Sequence, residues 1–374
     1  MIDAPPPAPP AIEQPAPYQL SYGVVSGVAA PGTRRVIVRV GSRTLADKPL
    51  NRRRFQLRVS LPAKETSVQV VTVDRADRRS RVTIGHVLGV PTAAAPRVHA
   101  PTSDSILAGQ MRRLAAAFGP TCAIYVQNLT TGEGAAWNAR ATFPAASTLK
   151  LAIAVTALSR TEGTPGYRST LDRLLRTMLT YSDNAAANAT ERFYAGSTFG
   201  GSALVNSMMQ SIGLVDTEMY GGYSLDSIGP SHRALAAAIP LRVDSQPYWG
   251  RGKRTSAHDL ANLHRAIWLA SGGLGPLRKA QPGFTPSDAR YLLYLLAGVR
   301  DPGKIDREVG RLGGVRVLHK AGWINSARHD NGIVIWGGGA LVVTVMTYRS
   351  AGVGPSSDVL AGRVAAVSLQ RFRG

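Results

Sequence analysis

Ser147 and Lys150 stand three residues apart in the run Phe143-Pro144-Ala145-Ala146-Ser147-Thr148-Leu149-Lys150. They open an apolar stretch with Leu149, Leu151, Ala152, Ile153 and Val155. On a helix, a spacing of three puts both side chains on one face. The serine would then sit in the first turn, where free N–H groups and the helix dipole favour developing negative charge. A serine hydroxyl becomes a nucleophile only with a base beside it, and a desolvated lysine can be that base. Alone, such a pair is usually an accident of composition. A second group is Tyr181-Ser182-Asp183-Asn184, after a segment with Leu171, Leu174, Leu175, Met178 and Leu179 on one side. Its hydroxyl and amide could pass a proton and hold a substrate amide, although Ser-Asp-Asn is also an ordinary helix N-cap. The third is His319-Lys320-Ala321-Gly322-Trp323 in a strand-like run. Gly322 would let a ligand approach the backbone, and Lys320 offers a charge for a carboxylate.

Lysine usage adds weight to two of these positions. The chain has 44 Lys and Arg, of which only seven are Lys: Lys48, Lys64, Lys150, Lys253, Lys279, Lys304 and Lys320. Ordinary positive charge is carried by Arg, which stays protonated, whereas a desolvated Lys can lose its proton. The net charge of +21 divides into +9 over residues 1–100 and +12 over the remainder, with no dense block. Such a surface attracts polyanions. With no nucleic-acid fold signature and no basic stripe interleaved with aromatics, nucleic acid is not an expected partner. The single cysteine, Cys122, excludes an internal disulfide; its apolar run Cys122-Ala123-Ile124-Tyr125-Val126 reads as a buried strand rather than a catalytic thiol. No apolar run is long enough for a transmembrane segment. Met1-Ile2-Asp3-Ala4-Pro5 shows no signal peptide.

The elements that must position these residues divide in two. Residues 1–17 are dominated by Pro and Ala and read as an extended tail. Residues 18–89 carry short β-branched runs at 36–40, 55–59 and 68–73 between turns, which predicts a small immunoglobulin-like β-sandwich. Its many strand arginines read as a solvated face, with binding to an anionic wall polymer as the alternative. Residues 90–103 read as a linker. From 104 the pattern changes to α+β. A helix marked by Leu107, Met111, Leu114 and Phe118 precedes a hairpin at 121–128 and 133–139. Helices are predicted at 147–160, 169–180, 183–194, 202–212, 256–271 and 286–299, then strands at 315–323, 331–337 and 340–347 and a helix at 355–371. Strands at both ends with helices between predict one sheet built from both termini and backed by helices.

The three motifs, in this order, resemble the S-x-x-K, S-D-N and K-T-G set of class A β-lactamases and penicillin-binding proteins. The resemblance covers residues 104–374 and extends to Ser256-Ala257-His258-Asp259-Leu260 and Gly332-Ile333-Val334. It implies a β-lactamase-like serine hydrolase domain with Ser147 as acylated nucleophile and Lys150 as base or proton relay. Ser182 would deliver the proton to the leaving nitrogen. Asn184 would bind the substrate amide, and Lys320 its carboxylate, with Gly322 beside it. The N–H groups of Ser147 and Trp323 would form the oxyanion hole. No cofactor or metal is implied, and the family implies an extracytoplasmic setting: secreted, periplasmic or cell-wall.

The sequence departs from the family in three places. The stretch Gly213 to Asp226 has no E-x-x-L-N deacylation motif; Glu218 and Asp226 are the candidate substitutes, each also readable as a solvated loop carboxylate. Ala321 replaces the usual hydroxyl residue, with Ser326 or Arg328 as possible compensation, and Trp323 is bulky beside the oxyanion hole. The segment from Ser147 to Ser182 is short, which predicts a reduced cleft wall. The expected function is therefore an acyl-serine hydrolase acting on β-lactams or related amides. The alternatives are a cell-wall D,D-peptidase or esterase and a catalytically idle wall-binding protein.

Overall fold

A computed structural model describes residues 7–223 and 252–374. The chain forms two compact units, one ending at Ala95 and one beginning at Pro96. The first is all-β, with strands β1 (Ala11–Gln14), β2 (Gln19–Ser21), β3 (Val24–Val28), β4 (Thr33–Val40), β5 (Arg43–Pro49), β6 (Arg54–Arg58), β7 (Glu65–Asp74) and β8 (Arg79–Gly89). They make a three-stranded sheet β1-β3-β6 and a five-stranded sheet β2-β8-β7-β4-β5. Val25, Phe55 and Ala29 from the first side meet Val36, Val38, Val68 and Val70 from the second in one core. Alternate residues of each strand point to one face, and here that face is Val-rich.

One expectation is corrected at the N-terminus. Residues 11–14 are not tail but strand β1, antiparallel to β3 with Ala11 opposite Val28 and Ile12 opposite Gly27. Ile12 packs against the core. Proline dominates the local composition and masks a single strand whose apolar residue is isolated. The linker reading of 90–103 is also changed: Thr92–Ala94 is a 3₁₀ turn, and Thr102–Ser103 is strand β9, parallel to a strand of the second unit.

The second unit carries helices α1 (Ser105–Phe118), α2 (Lys150–Ser159), α3 (Thr170–Thr180), α4 (Asn184–Ala195), α5 (Thr198–Ser211), α6 (Ala257–Ser271), α7 (Gly275–Ala280), α8 (Pro286–Leu296), α9 (Asp306–Val309) and α10 (Ser356–Arg373). Its strands are β9, β10 (Thr121–Asn128), β11 (Glu133–Trp137), β12 (Thr142–Pro144), β13 (Arg254–Ser256), β14 (Arg316–Ile324), β15 (Ala327–Trp336) and β16 (Gly339–Tyr348). The main sheet runs β14-β15-β16-β10-β11-β9, so strands from both ends of the domain pair through β10 and β16. This is the α+β arrangement expected. Leu107 and Met111 of α1 and Leu360 and Val364 of α10 pack on Leu341, Val343 and Val345 of β16. Helix α6, which also packs on the sheet, is capped by Ser256, whose hydroxyl accepts from Asp259 N. Helix α2 is buried along Lys150–Leu158, which its Ala, Leu, Ile and Val content permits. No helix among the described residues is long and apolar enough to cross a membrane.

Candidate active site

Ser147 does not begin the α-helix as expected. It lies in a 3₁₀ turn, Ala146–Leu149, and α2 starts at Lys150. Ala146 enters that turn at φ +46°, a left-handed conformation that costs a non-glycine residue about 1–3 kcal/mol. The turn still places the two side chains together: Lys150 Nζ is 3.0 Å from Ser147 Oγ. The amine also bonds Asn184 Oδ1 at 2.7 Å and, closely, the carbonyl of Ser182. A neutral amine has two N–H donors and one lone pair. The Ser182 carbonyl and Asn184 Oδ1 can only accept, so they take both donors. The lone pair is then left for the Ser147 hydroxyl, which is the arrangement a general base requires. Burial pulls Lys150 down to about 7; the neighbouring Lys320 charge adds to this and Asp183 opposes it.

The Ser182 motif serves two purposes at once. Asp183 is the N-cap of α4, its carboxylate accepting from Ala186 N at 2.6 Å. Ser182 just before it has φ +60°. That reversal lets its carbonyl face Lys150 while its hydroxyl accepts from Lys320 Nζ at 2.9 Å. Lys320 is fully buried on the edge strand β14, and burial lowers it to about 8 against the pull of Asp301 and Asp330. Its backbone carbonyl accepts from Asn331 Nδ2 at 2.7 Å, and Asn331 Oδ1 lies 2.6 Å from His264 Nε2. His319 lies 2.8 Å from Asp330, which also receives the N–H of Ile305. These β15 and α6 side chains, not visible as a motif, hold β14 from behind.

The same strand meets the nucleophile turn. A Cβ on Gly322 would lie 2.8 Å from the backbone nitrogens of Ser147 and Thr148, so only glycine fits there without a shift. Trp323 follows and is 60% exposed. The guanidinium of Arg328 stands 6.0 Å from its ring while bonding Asp358 at 2.7 Å. Arg328 is thus engaged at the outer edge rather than replacing the hydroxyl missing at Ala321. Ser326 N–H and C=O lie in the turn after β14, its carbonyl accepting from Arg349 N.

The deacylation side differs from the expectation. Glu218 pairs with Arg254 at 2.5 Å and the two backbones exchange hydrogen bonds, so this carboxylate is tied to structure and not to Ser147. Asp226 lies outside the described residues. The place over Lys150 is taken instead by Tyr223, whose ring centroid is 4.6 Å from Lys150 Nζ and 5.2 Å from Lys253 Nζ. Its hydroxyl donates to the Ala146 carbonyl at 3.0 Å. Motif reading missed Tyr223 and Lys253; the one available signal was that Lys253 is among the seven lysines. The wall between Ser147 and Ser182 consists of α2, a connection at 160–169 and α3.

A β-lactamase enzyme family model matches residues 106–164 and 160–372. Among solved structures, PBP-A is similar at TM-score 0.54 and 20% identity, over 73% of this chain and 98% of that one. A β-lactamase from Sphaerobacter thermophilus is similar at TM-score 0.53 and 20% identity, over 72% of this chain and 98% of that one. The β-lactamase from Streptomyces albus G is similar at TM-score 0.53 and 18% identity, over 72% and 100%. No curated sequence matches. Fold, motif order and family match coincide over the second unit, and the chain belongs to the β-lactamase enzyme family.

Proposed function

We propose that this chain is a serine hydrolase that forms an acyl-enzyme on Ser147 from β-lactams or related amides. The observation that carries the reading is the Lys150 contact set, which leaves a lone pair for the Ser147 hydroxyl. Ser147 Oγ attacks the amide carbonyl and gives its proton to Lys150. The carbonyl oxygen gains negative charge, which the N–H groups of Ser147 and Trp323 would receive. The C–N bond then breaks, and the leaving nitrogen takes the Ser182 hydroxyl proton, which Lys320, bonded to that hydroxyl, would replace while Lys150 keeps the proton from Ser147. Asn184 and Lys320 would hold the substrate amide and carboxylate.

A variant of PBP-A is known as an acyl-enzyme complex with penicillin G. A fluorescent penicillin is therefore the probe of choice. The expected result is a mass adduct on Ser147 that is lost in Ser147→Ala. No adduct and no turnover in the wild type overturn the reading.

A second reading, a cell-wall D,D-peptidase or esterase, is favoured by the engagement of Glu218 with Arg254 and the presence of Tyr223 over Lys150. Glu218, tied to Arg254, is not placed to activate water, and an acyl-enzyme whose water is not activated is long-lived. A long-lived Ser147 adduct together with D-alanine release from a muropeptide would support it; fast β-lactam turnover would count against it. Either substrate fits an extracytoplasmic setting.

A further inference from the structure

Tyr223 is held by hydrogen bonds at both of its backbone groups and at the two residues before it. Asn188 of α4 grips its backbone at both ends, Oδ1 accepting from Tyr223 N at 2.6 Å and Nδ2 donating to Tyr223 O at 3.0 Å. The two preceding carbonyls are held as well, Gly222 O by Lys253 Nζ at 2.7 Å and Gly221 O by Ser202 Oγ at 2.7 Å. At Gly222 a Cβ would lie 2.6 Å from Asn188 Oδ1 and 2.8 Å from Thr198 Cγ2, so the close seat on α4 and α5 requires glycine. Asn188 stands four residues after Asn184, and the two share a helix face. One face of α4 therefore supplies both a hydrogen-bond partner of Lys150 and the clamp on Tyr223.

The held side chain does two things. Its ring lies against Lys150 Nζ, and its hydroxyl bonds the carbonyl of Ala146, the residue at φ +46° that enters the Ser147 turn. Burial, with the Glu191 carboxyl adding to it, pushes the phenol well above its ordinary value of 10. It stays neutral and adds no charge. The ring face weakly favours the ammonium form of Lys150, whereas keeping water away favours the amine. Burial is the leading cause of the low proton affinity of Lys150, and the ring 4.6 Å from its Nζ is part of what buries it.

We propose that Tyr223 is a positioning residue of the acyl-transfer site, its ring excluding water from Lys150 and its hydroxyl pinning the turn that carries Ser147. This rests on the acyl-serine reading above, and its test does not need turnover. With only seven lysines, the full-length protein labelled with ¹³C-lysine allows Lys150 to be titrated by NMR, assigned from the Lys150→Met spectrum. Wild type should titrate near 7. Tyr223→Ala should raise this by at least about one pH unit as water reaches the amine, and move the acid limb of fluorescent-penicillin labelling by the same amount. Tyr223→Phe keeps the ring, so its titration should match wild type while labelling of Ser147 slows by about three- to tenfold for the lost hydrogen bond. Tyr223→Leu replaces the alanine variant if that does not fold. An unshifted Lys150 titration in the ring-deleted variant overturns the proposal, as does wild-type labelling by Tyr223→Phe. Failure of every variant and the wild type to label Ser147 overturns the acyl-serine reading alone, since the NMR titration is read without substrate.

Discussion

Gly322→Ala isolates the fit between β14 and the nucleophile turn with one methyl group. The added Cβ would meet the backbone nitrogens of Ser147 and Thr148 at 2.8 Å and Thr148 Cγ2 at 3.0 Å, where ordinary contact begins at 3.4 Å. One side must yield by about 0.6 Å, and neither is the free end of a flexible side chain. Strand β14 is bound to β15 from Arg316 to Ile324. The turn is tied by Tyr223 to Ala146 O, by Thr148 Oγ1 to Ala145 O at 2.6 Å and by Ala145 N to Lys253 O at 2.8 Å. The displacement therefore falls on the Ser147–Lys150 geometry. Overpacking of this kind costs about 1–3 kcal/mol of stability. A misplacement of about 1 Å costs about 100-fold in rate, so about 0.6 Å should slow Ser147 acylation by roughly tenfold. The assay is the second-order rate of labelling with a fluorescent penicillin, read beside thermal unfolding. Gly313→Ala is the control, because a Cβ there meets nothing within 4 Å. If Gly322→Ala labels within threefold of wild type and unfolds at the same temperature, β14 does not set the position of the nucleophile and the reasoning fails.

Labelling of Ser147 should follow a bell in pH, rising as Lys150 becomes neutral near about 7 and falling as Lys320 loses its charge near about 8. A profile flat from pH 6 to 9 would contradict the assigned roles. Asp216→Ala should destabilise the protein by about 3–5 kcal/mol in urea unfolding, because it leaves the buried Arg140, now bonded to Asp216 at 2.5 Å, without its partner; a loss below about 1 kcal/mol would show that Arg140 finds another. Two buried histidines should contribute stability that is lost on acidification. Burial lowers His264 and His329 from 6.5 to about 4, so between these values the unfolded chain binds protons that the folded one does not. Glu191, raised to about 8 by burial, acts in the opposite sense over this range, so the readout is the comparison with His329→Asn: the urea midpoint at pH 7 minus that at pH 5 should be smaller in the variant than in wild type, and an equal difference would refute the role of His329.

Much of the second unit was legible because its chemistry and its packing use different residues. Helices α3, α6 and α8 follow the expected apolar faces, and the three strands β14, β15 and β16 lie where short apolar runs sit between turns. The errors fall where local pattern and tertiary context disagree. Residues 11–14 carry too little hydrophobicity to signal a strand, and it is pairing with β3 that makes them one. Ser147 heads an apolar run that reads as helix, yet contact with Gly322 and Tyr223 goes with a 3₁₀ turn there.

The residues the motifs single out carry the groups that do the chemistry: an amine that can be neutral, a hydroxyl, an amide. Type and spacing reveal them even when each motif alone is bland. The groups that hold them are different in kind. Asn188 acts through its amide on a loop backbone 35 residues away, Asn331 through a carbonyl of the neighbouring strand, and Tyr223 through ring contact and one hydroxyl. None of the three has a spacing relation to the residue it serves. Ser182 shows where the two kinds meet. As part of a helix N-terminus its segment is ordinary, with Asp183 as the cap, but φ +60° at the residue before the cap turns one serine toward two lysines at once. With φ +60° the serine offers its carbonyl to Lys150 and its hydroxyl to Lys320. The strained backbone therefore belongs to the site as much as the side chain does, and backbone strain is the property a residue list does not encode.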